Sequence, residues 1–220
     1  MFKVIASPKT VSGTTPYPIS LILLASGASS RMKATIGKDK MQLTLPDDGR
    51  TLLQTTLELY NSYPFAEILV IVRQHGTEEP SLKTQFIVND NAERGMASSL
   101  ALGVGSSSPA ANGYLIALGD MPLVQPASVE ALCNEFLLRG STEVICIPTF
   151  RGQRGNPVLF GSAYKEDLLR LSGDVGAKSL LRKYADRVCE VETDDEGILL
   201  DIDTAEDWQY FLQKERRRKS

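Results

Sequence analysis

The residues with the clearest chemical potential are a run of small side chains and two nearby cations. Residues 27–31 read Gly-Ala-Ser-Ser-Arg directly after an apolar run, and Lys40 follows. Small residues let the backbone approach an anion, so N–H groups and hydroxyls can donate to phosphate oxygens while Arg31 and Lys40 offset their charge. Neither the Walker loop nor the three-glycine dinucleotide fingerprint fits this stretch. It predicts a phosphate-binding loop, with an ordinary structural turn as the alternative.

Asp120 is the residue best suited to hold a metal ion. It follows the apolar run 115–118, and Pro122 prevents a strand from continuing past it. A hard cation such as Mg²⁺ takes one or two carboxylates together with substrate phosphates, so one aspartate facing a phosphate loop is sufficient. The alternative is that Asp120 begins a turn or caps the following helix.

A second carboxylate, Asp203, occurs in the sequence Asp-Ile-Asp-Thr near the end of the chain. Because Asp201 and Asp203 occupy alternate positions, they would share one face of a strand, and Asp203 could be a second metal ligand. The competing interpretation is that Asp203 or Thr204 caps the closing helix, with Asp207 in its first turn. The sequence alone leaves both open.

Polar residues also follow the apolar run 86–88. Asn89 comes directly after it, where an amide can contact a base or a ribose. Gly95 and Ser98 lie where the next helix is expected to begin, a position that suits anion binding. Helix capping explains Ser98 equally well.

These residues require a framework that brings strand ends together, and the remaining sequence predicts one. Short apolar runs typical of buried strands alternate with segments of helical spacing. This alternation indicates an α/β fold with a mainly parallel sheet, helices on both faces, and ligands at the carboxyl ends of the strands. Residues 32–50, long and polar for a connection, are predicted to be a functional loop. After the first apolar run, strands are predicted at 68–72, 86–88, 114–118, 144–147, 158–160 and 188–192, and helices at 51–63, 94–105, 129–138, 163–171, 177–184 and from 204 onward.

The composition narrows the class of protein. The chain has 220 residues, 42% of them hydrophobic, and a net charge of −3, which suits a full core and argues against a nucleic-acid surface. Its three cysteines are scattered, as in proteins of a reducing compartment. No run is long enough to span a bilayer, and residues 1–18 lack a signal-peptide segment. We expect a cytoplasmic protein with an irregular arm over residues 1–18 and a single domain over residues 19–220.

Seven motifs follow one another in order: LASGASSRM, Lys40, VNDNAERGMASSLALG, GDMP, RGQRGNPVLF, LSGDVGAKSLL and DIDTAEDW. From residue 19 onward, this order resembles the molybdenum-cofactor cytidylyltransferases and their nucleotidyltransferase relatives. The resemblance implies a three-layer α/β/α, Rossmann-like nucleotidyltransferase fold with a mixed, mainly parallel sheet. It also implies transfer of a nucleoside monophosphate from a triphosphate to a phosphorylated acceptor, with Mg²⁺ as cofactor and pyrophosphate as product.

The resemblance assigns roles by position. It implies that Arg31, Lys40 and Asp120 are catalytic and that Asp120 binds the metal, with Asp203 as the second ligand considered above. The nucleotide would be bound by Leu24, Ala25, Ser26, Gly27, Ser30, Arg31, Lys40, Asn89, Ser98 and Gly119. The acceptor would be bound by Gly155, Asn156, Pro157, Gly173 and Asp174.

The base and the acceptor follow from finer features of the resemblance. The cytidylyl branch has Leu-Ala-Ala-Gly at the loop and the guanylyl branch Leu-Ala-Gly-Gly, whereas this chain has Ser26 at the variable place. Ser is close to Ala in size, and residues 154–160 and 173–177 look like the cytidylyl branch, so we expect CTP over GTP. The implied partners are the molybdopterin cofactor and a molybdoenzyme or its chaperone, with no nucleic acid and no membrane. Transfer to another small phosphate, such as a sugar or polyol phosphate, and a non-catalytic nucleotide-binding or delivery role stay open.

Overall fold

The computed structural model describes residues 2–5, 16–74, 83–173 and 177–219. Within these residues, one sheet of nine strands is accompanied by seven α-helices. The strands are β1 (Phe2–Ile5), β2 (Tyr17–Ala25), β3 (Phe65–Val72), β4 (Thr84–Val88), β5 (Gly113–Leu118), β6 (Ile145–Phe150), β7 (Gln153–Arg154), β8 (Val158–Gly161) and β9 (Val188–Glu192). The helices are α1 (Ser30–Ile36), α2 (Leu52–Asn61), α3 (Met96–Ser106), α4 (Pro126–Arg139), α5 (Lys165–Leu169), α6 (Lys178–Lys183) and α7 (Ala205–Lys219).

The sheet is mixed and mostly parallel, which confirms the predicted α/β class. Its strand order is β1-β9-β6-β8-β5-β2-β3-β4, with β7 beside β6. Strand β8 runs antiparallel to β5 and β6, whereas β5, β2, β3 and β4 pair in parallel with one another. The carboxyl ends of these four parallel strands therefore lie along one edge of the sheet.

Both faces of the sheet are covered, because the side chains of the central strand are apolar at every position of its second half. On β2, Leu21 and Leu23 pack in a cluster with α2 and α4, while Ile22 and Leu24 pack in a second cluster with α3, α5 and α6. Alternate side chains of a strand point to opposite faces, so a continuous apolar run is expected for a strand buried on both sides. No helix in the described part of the chain is both long and apolar enough to cross a bilayer.

A third apolar cluster positions the segments around Lys40 and Asp203. It combines Met32 of α1, Leu43 and Leu45 of the connection, and Trp208 and Phe211 of α7. All five side chains are buried. The packing joins two parts of the chain that are distant in sequence and lies beside the carboxyl edge of the sheet.

Two segments differ from the sequence predictions. The expected irregular arm over residues 1–18 contains β1, which pairs in parallel with β9, and β2 already begins at Tyr17. Residues 6–15 of the arm lie outside the described residues. The expected loop after residue 27 is partly helical, because Ser30 and Arg31 open α1. Helical periodicity did not predict this helix, since Met32 is its one buried residue.

Candidate functional site

A cleft of about 500 Å³ lies at the carboxyl edge of the sheet. Its walls come from the residues that follow β2, β3 and β5, from the start of α3, and from the segment before α7. The lining residues are Leu24, Ser26, Gly27, Ala28, Lys40, Met41, Arg73, Ala92, Glu93, Gly95, Met96, Ser99, Leu118, Asp120, Asp201 and Asp203.

Lys40 is a buried cation in this cleft. Its side chain is only 8% exposed, and Nζ donates to Oδ2 of Asp120 at 2.6 Å and to Oδ1 of Asp203 at 2.5 Å. Burial alone lowers the pKa of Lys40, but the two carboxylates outweigh burial and raise this pKa above its ordinary value. Lys40 is therefore a fixed ammonium ion, whereas the side chain of Lys38 is exposed.

Asp120 follows β5 in a turn that two backbone hydrogen bonds hold in place. The N–H of Gly119 donates to the carbonyl of Leu24, and the N–H of Ile202 donates to the carbonyl of Asp120, both at 2.9 Å. Burial raises the pKa of the Asp120 carboxyl, although Lys40 acts in the opposite direction. Among the described residues, the buried Oδ1 of Asp120 has no hydrogen-bond partner. A bound cation can satisfy such an oxygen.

Three carboxylates meet beside Lys40. One oxygen each from Asp120, Asp201 and Asp203 lies within 4.8 Å of the others. Hard divalent cations prefer carboxylate oxygens, so this set and the unpartnered Oδ1 of Asp120 fit Mg²⁺ or Mn²⁺. The arrangement can therefore hold a divalent cation next to the ammonium group of Lys40.

The helix cap at the start of α7 is made by residues other than Asp203. Oδ2 of Asp207 accepts from the N–H of Thr204 at 2.7 Å, and Oγ1 of Thr204 accepts from the N–H of Asp207 at 3.2 Å. Burial raises the pKa of Asp207, but the hydrogen bonds from Thr204 and from the N–H of Asp203 outweigh burial and hold this pKa below its usual range. This reciprocal pair caps the helix, so the carboxylate of Asp203 faces the cleft.

The small residues after β2 form a turn at the rim of the cleft. Gly27 and Ala28 line it directly. Ser29 adopts a left-handed conformation with a φ of 51°, and its Oγ donates to Oδ1 of Asp39 at 3.0 Å. That bond ties the turn to the residue before Lys40, because Asp39 also caps the short 3₁₀ turn Lys40–Gln42.

Arg31 brings a second cation to the acidic cluster. Its side chain is 73% exposed, and Nη1 donates to Oδ2 of Asp203 at 2.9 Å. Arg31 and Lys40 therefore contact the two oxygens of the same carboxylate. Ser30 precedes Arg31 in the first turn of α1 and is exposed.

A network of small polar side chains lies where β2 and β4 end. It consists of Ser26, Asn89, Ser98 and Ser99, and we call the part of the cleft beside it the polar pocket. Oγ of Ser26 lies 2.5 Å from Oγ of Ser99, and Nδ2 of Asn89 donates to Oγ of Ser98 at 2.9 Å and to Oγ of Ser99 at 2.8 Å. Oδ1 of Asn89 accepts from the N–H of Asn91 at 2.9 Å. Asn89 thus donates both amide hydrogens to serine hydroxyls and is linked to Ser26 through Ser99. Its contact with a base or a ribose stays a prediction.

The predicted acceptor segment, residues 155–157, is hydrogen-bonded to the chain that precedes Asp201 and Asp203. The N–H of Asn156 donates to the carbonyl of Ile198 at 2.9 Å, and a cis peptide bond joins Asn156 to Pro157. The N–H of Gly155 donates to the carbonyl of Pro148, also at 2.9 Å. These contacts hold the chain that leads to residues 201–203, but the segment is not among the described residues that line the cleft.

The other predicted acceptor residues lie near the start of α3. The carbonyl of Gly173 accepts from the N–H of Ala97 at 3.2 Å. This bond places Gly173 next to the wall formed by Gly95 and Met96. Asp174 lies outside the described residues.

Asp201 and Arg73 also line the cleft, and neither was predicted as a site residue. Asp201 was considered only as the neighbour of Asp203, although the alternate spacing of these two carboxylates is the feature that predicts a shared site. Arg73 directly follows the apolar run 68–72, and Asp120 similarly lies two positions after the run 115–118. A charged residue immediately after a predicted strand is the pattern that would have identified Arg73.

Comparisons with known proteins agree with this geometry. Residues 21–188 match the family described as the MobA-like NTP transferase domain. None of the curated proteins matches the sequence significantly. A crystal structure of the Rv0371c homologue from Mycobacterium sp. strain JC1 is 27% identical, has a TM-score of 0.76, and is matched over 92% of this chain and 99% of that one.

Two further structures share the fold at lower identity. Rv0371c from Mycobacterium tuberculosis H37Rv, determined in complex with manganese, is 23% identical with a TM-score of 0.66, over 89% of this chain and 98% of that one. Molybdopterin-guanine dinucleotide biosynthesis protein A from Archaeoglobus fulgidus is 16% identical with a TM-score of 0.62, over 90% of this chain and 99% of that one. The α/β architecture is therefore that of the nucleotidyltransferases.

Proposed function

The chain belongs to the MobA-like NTP transferase domain family, and from this premise we propose that it transfers CMP from CTP to the phosphate of the molybdopterin cofactor. The reaction would use Mg²⁺ and release pyrophosphate. One observation carries the proposal. Lys40 is a buried ammonium held between Asp120 and Asp203, directly beside the small-residue turn that follows β2. Cations and carboxylates at this edge provide the charge pattern that a metal-bound triphosphate requires.

In the proposed reaction, a phosphate oxygen of the acceptor attacks the α-phosphorus of CTP. A new P–O bond forms there, and the bond from that phosphorus to the bridging oxygen of pyrophosphate breaks. Such transfers depend mainly on positioning and on offsetting charge between two anions. Arg31 and Lys40 would donate to phosphate oxygens, and the N–H groups around Gly27 would approach them.

The three carboxylates have a complementary role in the proposal. Asp120, Asp201 and Asp203 would hold Mg²⁺, which when bound offsets the negative charge of the phosphates. Lys40 would keep Asp120 ionised in its buried position, because their contact opposes the effect of burial on the carboxyl pKa. These side chains therefore bind and orient, and none of them needs to form a covalent bond with the substrate.

The choice of CTP is supported by the small side chain of Ser26 at the variable place of the loop, which is close to Ala in size. Ser26 is 5% exposed and contacts Ser99, so the base would meet small polar side chains there. We assign the acceptor to the segment Gly155–Pro157 and to Gly173 with Asp174, on the strength of the family resemblance. A molybdoenzyme or its chaperone would then receive the product.

Pyrophosphate release tests the proposal. The full chain with Mg²⁺ and reduced molybdopterin cofactor is assayed with CTP, GTP, ATP and UTP, and we expect CTP to exceed the others by about a hundredfold. Asp120→Asn preserves size but removes a ligand charge, so we expect a rate loss of about a hundredfold or more. Asp186→Asn, at an exposed position outside the cleft, is the matched control.

Each alternative has a distinct outcome in this assay. A faster reaction with GTP would contradict the cytidylyl assignment. Turnover with a sugar or polyol phosphate, but not with the molybdopterin cofactor, would identify a different acceptor. Nucleotide binding without turnover on any acceptor would indicate a binding or delivery protein.

A further inference from the structure

Arg73 lies between two residues of the polar pocket. It follows the last residue of β3, which pairs with the last residues of β2 and β4. The residues that come next on those two flanking strands are Ser26 and Asn89. Because the three strands are parallel, Arg73, Ser26 and Asn89 emerge side by side at the carboxyl edge, and both Arg73 and Ser26 line the cleft.

The neighbours of Arg73 have their own hydrogen bonds. Asn89 donates to Ser98 and Ser99, and Ser99 lies 2.5 Å from Ser26. Both amide hydrogens of Asn89 are thus used inside the protein, and the hydroxyls of Ser26 and Ser99 contact each other. A ligand that requires two coplanar N–H donors therefore needs another source of them.

Arg73 offers such a source. Its Nε is buried and has no hydrogen-bond partner among the described residues. A buried donor without a partner is unfavourable, so an acceptor supplied by a ligand would be bound strongly at this point. The guanidinium group presents pairs of parallel N–H donors in a fixed plane, which match two adjacent acceptor atoms.

The strand order separates Arg73 from the phosphate end of the cleft. Strand β2 lies between β5, which delivers Asp120, and β3, which delivers Arg73. Lys40 and Arg31 both contact the acidic cluster on the β5 side. A nucleotide whose phosphates lie against those cations would extend its other end, the base, toward Arg73.

We propose that Arg73 is the residue that selects cytosine over uracil. This inference rests on the proposed function. Cytosine has two neighbouring acceptors, N3 and O2, which two parallel N–H groups of a guanidinium can contact together. Uracil carries a hydrogen on N3, so one of the two donors would face another donor. A site that leaves a buried polar group unpaired rejects a ligand strongly, and Arg73 would therefore discriminate against UTP.

Calorimetric titration of the full chain tests this role without relying on turnover. The ligands are CTP, UTP and inorganic tripolyphosphate, which has no base, each with Mg²⁺. We expect Arg73→Met to weaken CTP binding by about tenfold to a hundredfold, to abolish the preference over UTP, and to change tripolyphosphate binding by less than about twofold. Arg73→Lys keeps the charge without the paired donors, so it should not restore the preference. Arg182→Met, at an exposed position on α6, removes the same charge outside the cleft and is the control.

Two results with the Arg73→Met variant would overturn the inference. If Arg73→Met weakens tripolyphosphate as much as CTP, Arg73 contacts phosphates and not the base. An unchanged ratio of CTP to UTP affinity, with the melting temperature of the parent, would show that another residue reads the base. A parent protein that binds CTP tightly but transfers nothing to the molybdopterin cofactor would contradict the proposed function alone, and a parent that prefers UTP or binds neither would contradict both.

Discussion

Replacing Lys40 by Met removes a buried charge while keeping most of the side-chain volume. The side chain of Lys40 is 8% exposed, and that of its partner Asp120 is 15% exposed. The variant therefore leaves the Asp120 carboxylate buried without its ammonium partner. Asp203, the second partner, is 38% exposed and keeps its contact with Arg31. The main effect should come from Asp120.

The expected magnitude follows from this asymmetry. Removing one member of a buried ion pair destabilises a protein by about 3–5 kcal/mol, and only one of the two carboxylates is stranded here, so we expect a loss near the lower end, about 3 kcal/mol near pH 8. Burial raises the pKa of Asp120 in the folded protein, and Lys40 lowers it. Removing Lys40 therefore raises the folded-state pKa of Asp120 further above its unfolded value. Folding then favours the protonated carboxyl, and stability is lost as the pH rises through the folded-state pKa. The loss in Lys40→Met should therefore be smaller near pH 5.

Urea unfolding of the parent and Lys40→Met near pH 5 and near pH 8 measures this difference. Lys38→Met removes an exposed lysine two positions away and should change stability by less than about 0.5 kcal/mol. Mn²⁺ should stabilise Lys40→Met more than the parent, because a bound cation replaces the missing charge. Equal stability of parent and variant near pH 8, or a larger loss near pH 5, would refute the reasoning.

Two further predictions concern the loop and the closing helix. Arg31→Ala should weaken CTP binding in the presence of Mg²⁺ by about tenfold to a hundredfold, because a charge-assisted hydrogen bond contributes about 1.5–3 kcal/mol. Lys38→Ala is the control, and equal losses of CTP affinity in the two variants, measured by calorimetric titration, would contradict the phosphate-loop assignment. Asp207→Ala should lower the free energy of unfolding by about 1 kcal/mol at neutral pH, because it removes the acceptor that caps α7. The pKa of Asp207 is depressed in the folded state, so urea unfolding should show this difference shrinking as the pH falls through that pKa, and a difference that grows toward acid would count against the cap.

The elements that could be predicted are those with a continuous or periodic apolar pattern. Strand β3 contains the run 68–72, which is buried throughout, and a strand covered on both faces must be apolar at every position. Helix α1 gave no comparable pattern, because it has seven residues and buries only Met32. The four residues of β1 precede a stretch rich in Pro and Gly, and their pairing partner β9 lies at the other end of the chain. Local patterns carry no information about such a partner.

In the candidate site, too, the residue types could be predicted from local sequence, whereas contacts between distant segments could not. The types and positions of Lys40 and Asp120 mark them as candidates because each follows an apolar run or a small-residue loop. The contact between Lys40 and Asp203 joins positions 163 residues apart and depends on the packing of α7 against the connection before α2. The sequence could not decide whether Asp203 caps α7 or faces the cleft, because the cap depends on the hydrogen bonds between Thr204 and Asp207. Asn89 directly follows β4 as predicted, but its hydrogen bonds to Ser98 and Ser99 join residues nine and ten positions apart and depend on the start of α3.

The charges of the cleft also determine how a triphosphate would enter it. Arg31 and Lys40 contact the carboxylate of Asp203, and Lys40 also contacts Asp120. A triphosphate alone would compete with these carboxylates for both cations and would leave the acidic cluster without counter-charges. A divalent cation that arrives with the triphosphate would supply charge to the cluster as the cations turn to phosphate oxygens. The measured affinity is then a difference between two sets of ion pairs, so nucleotide binding should depend strongly on the metal even before any chemistry takes place.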